Sequence, residues 1–344
     1  MGAVSRPATI HDVARAAGVS IKTVSRVMNN EPAVRAETAE RVRTAARALD
    51  YTVLAAARQL GGGRSRSLGM LIVARGQWQW TAELVAGAVA RARLRAYALA
   101  PHVLALDDAA ERATILALAA RRAVDGLIVT TPWAEDEALL EALEARGAPF
   151  VLAPAPAEAR RPGVRADEAA ALEALTRHLL EHGHRRFAIL AGQRGLDGTR
   201  QRLKGVRAAL AEAGLDPEAV PSVFGDYTFR TGLLEARKLL AQARPTALIC
   251  FSDVLGAAAL RACHEAGLTP PRRISVVGVG DLAVSQMVWP ALTTAALPSA
   301  EIAAQAVDLL VDRIEGRAVP DAPVTLSPQL IIRSSSGPAP SATA

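Results

Sequence analysis

Hydrophobic residues along the chain follow two patterns, and the pattern changes near residue 68. Before that point, apolar residues recur at helical spacing in short stretches between residues 9 and 49. After it, short continuous apolar runs alternate with longer amphipathic stretches. The continuous runs, which are typical of buried strands, lie at 68–74, 124–131, 149–154, 186–192, 246–252 and 274–280. Helical spacing is found at 81–96, 109–121, 135–146, 167–182, 198–213, 231–242 and 254–266.

The alternation of strands and helices predicts parallel sheets joined by right-handed crossovers. We therefore expect an α/β protein in which a helical head precedes a core of two doubly wound lobes that meet at a cleft. In such folds, ligands bind beyond the carboxyl ends of the strands. The predicted segments are a head at 1–50, a hinge helix and linker at 51–67, a core N-lobe at 68–163 with 293–323, a core C-lobe at 164–292 with 324–333, and a disordered tail at 334–344.

The head has the start and stop signals of three helices. Thr9 and Asp12 form a capping box for the first helix, and Gly18 ends it. Ser20 can cap a second helix, and a third covers 36–49. Their apolar residues can close a small core, made of Ile10, Val13, Ala14, Val19, Val24, Val27, Val42 and Leu49. Two short helices joined by a glycine turn are the helix-turn-helix pattern, although many hairpins of this kind bind nothing.

Positive charge is concentrated in the same segment. Residues 1–66 contain 11 Lys and Arg against 5 Asp and Glu, whereas residues 67–344 contain 29 of each class. A basic module on a neutral body suggests a polyanionic partner. The alternative is that the arginine-rich helices are simply soluble.

The sequence lacks the features expected of a membrane protein, a secreted protein, a metalloprotein or an enzyme. The chain has no run of 18 uncharged apolar residues, and its N-terminus has no apolar segment of a secretory signal. Cys250 and Cys263 lack partners at metal-ligand spacing and are interpreted as buried thiols in a reducing cytoplasm. Because there is no P-loop, nucleophile elbow or cluster of metal ligands, we expect no catalysis, no cofactor and no metal.

The second head helix, at about residues 21–29, carries a polar face that packing alone does not require. Lysine and arginine can donate hydrogen bonds to guanine in the major groove, and serine or threonine can contact either bases or phosphates. The face comprises Ile21, Lys22, Thr23, Ser25, Arg26 and Asn29.

The stretch ATIHDVARAAGVSIKTVSRVMNN (8–30) resembles the N-terminal signature of the lactose-repressor (LacI/GalR) family of bacterial transcription regulators. Further stretches resemble later landmarks of that family, in the family's order. They are DYTVLAAARQLGGGRSRSLGMLIV (50–73), HGHRRFAILAG (182–192), TRQRLKGVRAAL (199–210), ISVVGVGD (274–281), PALTTAALP (290–298) and QLIIRSSS (329–336). The resemblance covers nearly the whole chain and implies a core like that of periplasmic binding proteins.

The resemblance also implies roles in DNA binding. Ile21 and Lys22 match positions that read operator bases, and Arg26 matches a guanine-contacting position. Positions that mainly hold the phosphate backbone are matched by Thr9, Ser20, Thr23, Ser25, Asn29 and Tyr51. Thr9 and Ser20 can serve as helix caps at the same time, and the alternative for Tyr51 is packing in the core.

The hinge resembles the family pattern only in part. Leu60 matches a paired leucine that wedges open the minor groove, and Ala57 matches the small residue beside it. In place of the usual proline and polar or basic residues, this chain has Val53, Leu54 and Ala55. The resemblance therefore does not extend to the residues that anchor the hinge on the DNA backbone, and the alternative is an ordinary alanine-rich linker.

An effector pocket is expected between the lobes. Trp78 and Trp80 follow a predicted strand, where an aromatic face could stack on a sugar; the alternative is that tryptophan fills the core between the lobes. The resemblance places effector contacts at Trp80, Thr130, Asp167, Arg202, Tyr227 and Ser252. The fixed donors of Arg202 suit hydroxyls or a carboxylate; the alternative is a surface salt bridge. Where the family commonly has an aspartate, this chain has Gly280, and Asp281 could replace it from the next position.

Together these features predict a cytoplasmic, homodimeric regulator, most simply a repressor. It would bind a pseudo-palindromic operator in double-stranded DNA, under the control of a small effector, expected to be a sugar or sugar derivative. The alternatives are a periplasmic-type sugar-binding protein, which the basic head and the lack of a signal segment oppose, and an activator of the same family.

Overall fold

The computed structural model describes residues 8–28, 34–49, 51, 64–73, 78–105, 109–121 and 123–341. The chain divides into two compact units, Met1–Arg66 with the helical head and Ser67–Ala344 with the core. Within the described ranges, no helix is both long enough and apolar enough to cross a membrane.

The three predicted helices of the head are confirmed, as α1 (Ile10–Ala17), α2 (Ile21–Met28) and α3 (Ala36–Ala48). The Asp12 carboxylate accepts hydrogen bonds from the Thr9 N–H at 2.9 Å and the Thr9 hydroxyl at 2.6 Å. Gly18 has φ 64°, a left-handed conformation that glycine adopts without strain, and the chain reverses there. The buried core comprises Val13, Ala14, Ala17, Val24, Val27, Ala39, Val42 and Ala46. The prediction that Leu49 is buried was wrong, because α3 ends just before it and leaves it 37% exposed.

The N-lobe is built on a four-stranded parallel sheet in the order β2-β1-β3-β4. Its strands are β1 (Ser67–Val73), β2 (Ala98–Leu104), β3 (Gly126–Val129) and β4 (Phe150–Leu152). The connecting helices are α4 (Trp78–Leu94), α5 (Ala109–Ala120) and α6 (Glu137–Ala145), the last preceded by a 3-10 turn at Trp133–Glu135.

The C-lobe is built on a six-stranded sheet in the order β12-β10-β9-β8-β6-β7, parallel except for β12. Its strands are β6 (Phe187–Ala191), β7 (Ser222–Phe224), β8 (Ala247–Cys250), β9 (Ser275–Gly280), β10 (Thr293–Ala296) and β12 (Gln329–Ile331). Its helices are α7 (Glu168–Glu181), α8 (Asp197–Glu212), α9 (Phe229–Ala243), α10 (Asp253–Glu265) and the short α11 (Val284–Met287).

The last long helix, α12 (Ser299–Ile314), packs on α4 and on the strands β3 and β4 of the N-lobe. A two-stranded sheet of β5 (Val164–Ala166) and β11 (Val324–Leu326) lies where the chain passes between the lobes. The strand β10 corrects the predicted boundary at residue 293. Thr293–Ala296 pairs with β9 in the C-lobe sheet, so the return to the N-lobe begins only with α12.

All six predicted strands and all seven predicted core helices are present. The prediction of a disordered tail was wrong for residues 334–341, which are packed against the C-lobe. Ser335 is fully buried, its hydroxyl donates to the Val276 carbonyl at 2.6 Å, and it accepts the Thr293 N–H at 2.8 Å. The Gly337 N–H donates to the Ser275 hydroxyl at 3.1 Å. The tail is held by backbone groups and serine hydroxyls, which an apolar pattern does not reveal.

Candidate DNA-reading face and effector pocket

The helix α2 has one side in the head core and another that carries polar residues. Val24 and Val27 are buried. The exposed or half-buried positions are Ile21, Lys22, Thr23, Ser25, Arg26 and Met28. Ile21 is 42% exposed, so its apolar side chain is accessible to a partner.

The residues around α2 have structural partners of their own. The Ser20 hydroxyl accepts the Thr23 N–H at 3.1 Å, so its predicted capping role is confirmed. Tyr51 packs against the head core, and its N–H donates to the Ala46 carbonyl at 2.9 Å. Core packing is thus at least part of its role. Asn29, Ala57 and Leu60 lie outside the described residues, as does the altered hinge at 53–55.

A cavity of about 460 Å³ lies between the two lobes of the core. The N-lobe contributes the end of β1, the start of α4 and the segment after β3, including Trp80, Thr130 and Pro132. The C-lobe contributes the segments after β6 and β7 and the first turns of α8, including Thr199, Arg202 and Tyr227. The cavity thus opens at the carboxyl ends of parallel strands, as expected for a doubly wound fold.

Arg202 is the most deeply buried charge of the cavity wall, with 5% of the residue exposed. Its Nε donates to the Glu168 carboxylate, and its Nη1 donates to the Phe251 carbonyl. Burial disfavours the guanidinium charge, but Glu168 outweighs burial and raises the pKa of Arg202. Nη2 has no hydrogen-bond partner among the described residues. The predicted alternative of a surface salt bridge was wrong, because the pair is buried in the pocket wall.

The Tyr227 ring forms another part of the C-lobe wall. A Cβ atom built on Gly192 would lie 1.7 Å from Cζ of Tyr227, so the ring fits only because residue 192 is glycine. The Tyr227 hydroxyl lies 3.0 Å from the Thr199 hydroxyl and 3.5 Å from Arg202 Nη1. Burial raises the pKa of Tyr227, so the phenol stays neutral and able to donate. Its backbone has φ 62°, a strained conformation for a non-glycine residue.

The N-lobe wall is more apolar. Trp80 is half-buried, packs against the core and lines the cavity. The Thr130 hydroxyl donates to the Leu71 carbonyl at 2.7 Å, so its oxygen keeps only acceptor capacity for a ligand. An aromatic face opposite a set of polar groups suits a molecule with both C–H and hydroxyl surfaces.

The described charged side chains on the cavity wall are mixed in sign. They are Arg165, Arg202, Glu168, Asp197 and Asp226. Burial opposes ionisation of Asp226, but hydrogen bonds from the hydroxyl and N–H of Thr228 lower its pKa. Arg202 forms an ion pair with Glu168, and the remaining described charges of the wall are one arginine and two aspartates. These residues therefore give no excess of positive charge that would favour a phosphorylated ligand.

Two protein-family models match the chain. "Bacterial regulatory proteins, lacI family" matches residues 9–53, and "Periplasmic binding protein-like domain" matches residues 176–336. The regulator CelR of Thermobifida fusca is 31% identical over 339 residues, which are 96% of this chain and 98% of that protein. The chain belongs to the LacI family of bacterial regulatory proteins.

Solved structures of the LacI family share the fold along nearly the whole chain. The lac repressor dimer bound to operator and the anti-inducer ONPF has a TM-score of 0.85 at 27% identity, covering 96% of this chain and 100% of that one. The complex of the regulator CelR with cellobiose has a TM-score of 0.73 at 28% identity, with the same coverage. The family and fold predicted from the sequence are confirmed.

Of the residues that LacI-family resemblance assigned to the effector, the structure brings four together at the cavity: Trp80, Thr130, Arg202 and Tyr227. The others are not part of its lining. Trp78 is 62% exposed at the start of α4. Asp167 caps α7 by accepting the Ala170 N–H at 3.0 Å, and Ser252 caps α10 by accepting the Leu255 N–H at 3.2 Å.

Asp281, which could replace the LacI-family aspartate that is missing at Gly280, is not among the residues that line the cavity. Its carboxylate accepts hydrogen bonds from Arg333 at 2.5 Å and from the Ser285 hydroxyl at 3.2 Å, away from the cavity. The buried acid nearest to Gly280 is Asp253, which accepts the Leu282 N–H at 2.7 Å and the Thr294 hydroxyl at 2.6 Å. Burial raises the pKa of Asp253 to about 6.

Several polar residues of the wall were missed from the sequence: Glu168, Gln193, Asp197, Thr199 and Asp226. Gln193 follows the end of β6, and Asp226 follows β7. Their position just after strands was a signal that could have found them. Cys250 and Cys263 are buried free thiols, and burial raises the pKa of Cys263 to about 12. Within the described residues, no group of three or more His, Cys, Asp or Glu could hold a metal ion.

Proposed function

We propose that this protein is a cytoplasmic, sequence-specific DNA-binding transcription regulator, most simply a repressor, whose operator affinity depends on a small molecule in the cavity. The observation that carries the proposal is the union of two modules in one chain. A head with a polar, partly exposed α2 face is joined to a core whose cavity is walled by both lobes. The core is a sensor in this proposal and has no catalytic role.

On the DNA side, Lys22 and Arg26 donate to base edges, and Ile21 contacts bases through its apolar surface. Backbone phosphates are contacted by Thr9, Ser20, Thr23, Ser25, Asn29 and Tyr51. A homodimer presents two such heads to a pseudo-palindromic operator. Leu60 and Ala57 enter the minor groove at its centre.

On the ligand side, the mixed charges and the Trp80 face favour a neutral polyhydroxylated molecule, which we take to be a sugar. CelR, a relative of this chain, has been solved with cellobiose. Trp80 stacks on C–H surface, Arg202 Nη2 and the Tyr227 hydroxyl donate, and Thr130 accepts. Because ligand contacts come from both lobes, binding changes the relative stability of lobe arrangements, which is how an effector shifts an equilibrium.

Selection of bound sequences from random double-stranded DNA tests the DNA-binding role. We expect a pseudo-palindromic consensus, and affinity that falls steeply with salt, because each phosphate contact releases counterions. Arg26→Ala removes a base contact and should relax the consensus, whereas Arg43→Ala removes the same charge from exposed α3 and serves as the control. A logarithmic salt slope near zero would rule out a DNA-binding head.

A further inference from the structure

The helix α8 has no capping side chain of its own. The residue at its N-cap position is Leu196, which makes no side-chain cap. The first N–H groups of a helix lack partners inside the helix and need an acceptor from elsewhere. A helix at this position, beside a ligand cavity, therefore depends on its surroundings for its first hydrogen bonds.

The acceptor comes from the opposite lobe. Glu135 ends the 3-10 turn after β3 in the N-lobe, and its two carboxylate oxygens lie 3.1 and 3.0 Å from the Asp197 N–H. Arg200, one turn into α8, donates to the same carboxylate at 3.4 Å. In a second hydrogen bond across the cleft the N-lobe is the donor: the Ala157 N–H donates to the Asp197 carboxylate at 2.9 Å.

The contact between Glu135 and Asp197 combines stabilising and destabilising interactions. Glu135 is 16% exposed and lies beside Asp197, and burial together with this like charge raises its pKa. Arg200 partly offsets the repulsion by reaching both carboxylates. The hydrogen bond from the Asp197 N–H to the Glu135 carboxylate is thus opposed by the burial of that carboxylate and by its repulsion from the Asp197 carboxylate. Because these effects oppose each other, a small change can break the contact.

The same helix carries residues of the cavity. Thr199 and Arg202 lie in the first two turns of α8, directly after the contact with Glu135. We propose that Glu135 is a positioning residue, a cap supplied across the cleft that holds the lobes together and sets where Thr199 and Arg202 face the ligand. Its importance for regulation rests on the proposed function, but the contact itself needs neither DNA nor effector.

Distance measurements between spin labels test the proposal on the full chain. Cysteines are introduced at Ala145 on α6 and Ala208 on α8, both exposed, while the native thiols are buried. Glu135→Ala should raise the ratio of open to closed lobes about tenfold, as expected for loss of a charged hydrogen bond, and lengthen the distances.

Two further variants separate capping from general destabilisation. Glu135→Gln keeps an oxygen that can accept the Asp197 N–H and should largely restore the wild-type distances. Glu141→Ala removes the same charge from an exposed position on α6 and should leave them unchanged. Identical distance distributions for the wild type and Glu135→Ala, both folded by circular dichroism, would overturn the proposal whether or not the protein binds DNA. So would equal opening in Glu135→Ala and Glu135→Gln.

Discussion

The buried pair of Arg202 and Glu168 allows a prediction whose size follows from the structure. The two side chains are 7% and 15% exposed, so neither charge is well solvated when its partner is removed. Removing one partner of a buried pair costs about 3–5 kcal/mol, whereas replacing both is often close to neutral. Because Glu168 borders the cavity and can gain some water there, we expect the low end, about 3 kcal/mol.

The test is a double-mutant cycle of Arg202→Met, Glu168→Gln and the double variant. Urea unfolding of the core is followed by tryptophan fluorescence, and the free energies of unfolding are compared. Each single variant should lose stability, and the double variant should lose clearly less than the sum of the two, with a coupling of about 2 kcal/mol or more. Additive losses would refute the inference that the two charges stabilise each other in the cavity wall.

Three other outcomes are expected. Leu60→Ala should weaken operator binding strongly while ligand binding stays intact, and an unchanged footprint would contradict the wedge role. Asp253 has a folded-state pKa of about 6 against an ordinary 3.8. Between about pH 4 and pH 6 the carboxyl group ionises more readily in the unfolded state, so the free energy of unfolding falls by about 3 kcal/mol in all as pH rises. Asn cannot ionise, so the melting temperature of Asp253→Asn should rise relative to that of the wild type between about pH 4 and pH 6. If the two melting temperatures changed with pH in parallel, the raised pKa of Asp253 would be contradicted. Truncation after Arg333 should lower the melting temperature of the core, because it removes the buried Ser335; an unchanged value would show that the docked tail adds no stability.

The sequence predicted the elements whose own residues determine them. Strands such as β3 and β8 are buried on both faces and therefore appear as continuous apolar runs. The strand β2 was missed because it lies at the sheet edge and alternates exposed residues such as Pro101 with half-buried ones. The strand β10, TTAA, is too short and polar to stand out.

The cavity was predicted in part for a similar reason. Arg202 and Trp80 were found because they lie in motifs of the family. The fit of Tyr227 depends on Gly192, which is remote in sequence, and the contact of Glu135 with α8 crosses the cleft between the lobes. Such contacts depend on how the lobes meet, and no local pattern of residues encodes them.

The most direct test of the account is whether occupation of the cavity changes the affinity for DNA. The Kd of the selected operator is measured by fluorescence anisotropy without ligand and with saturating sugar, starting with cellobiose and continuing with the sugar that raises the melting temperature most. The account predicts a change of about 5- to 150-fold, the usual range of coupling between two sites. Trp80→Ala should bind the operator normally but lose the response. A bound sugar that leaves the operator Kd unchanged in the wild type would contradict the central claim.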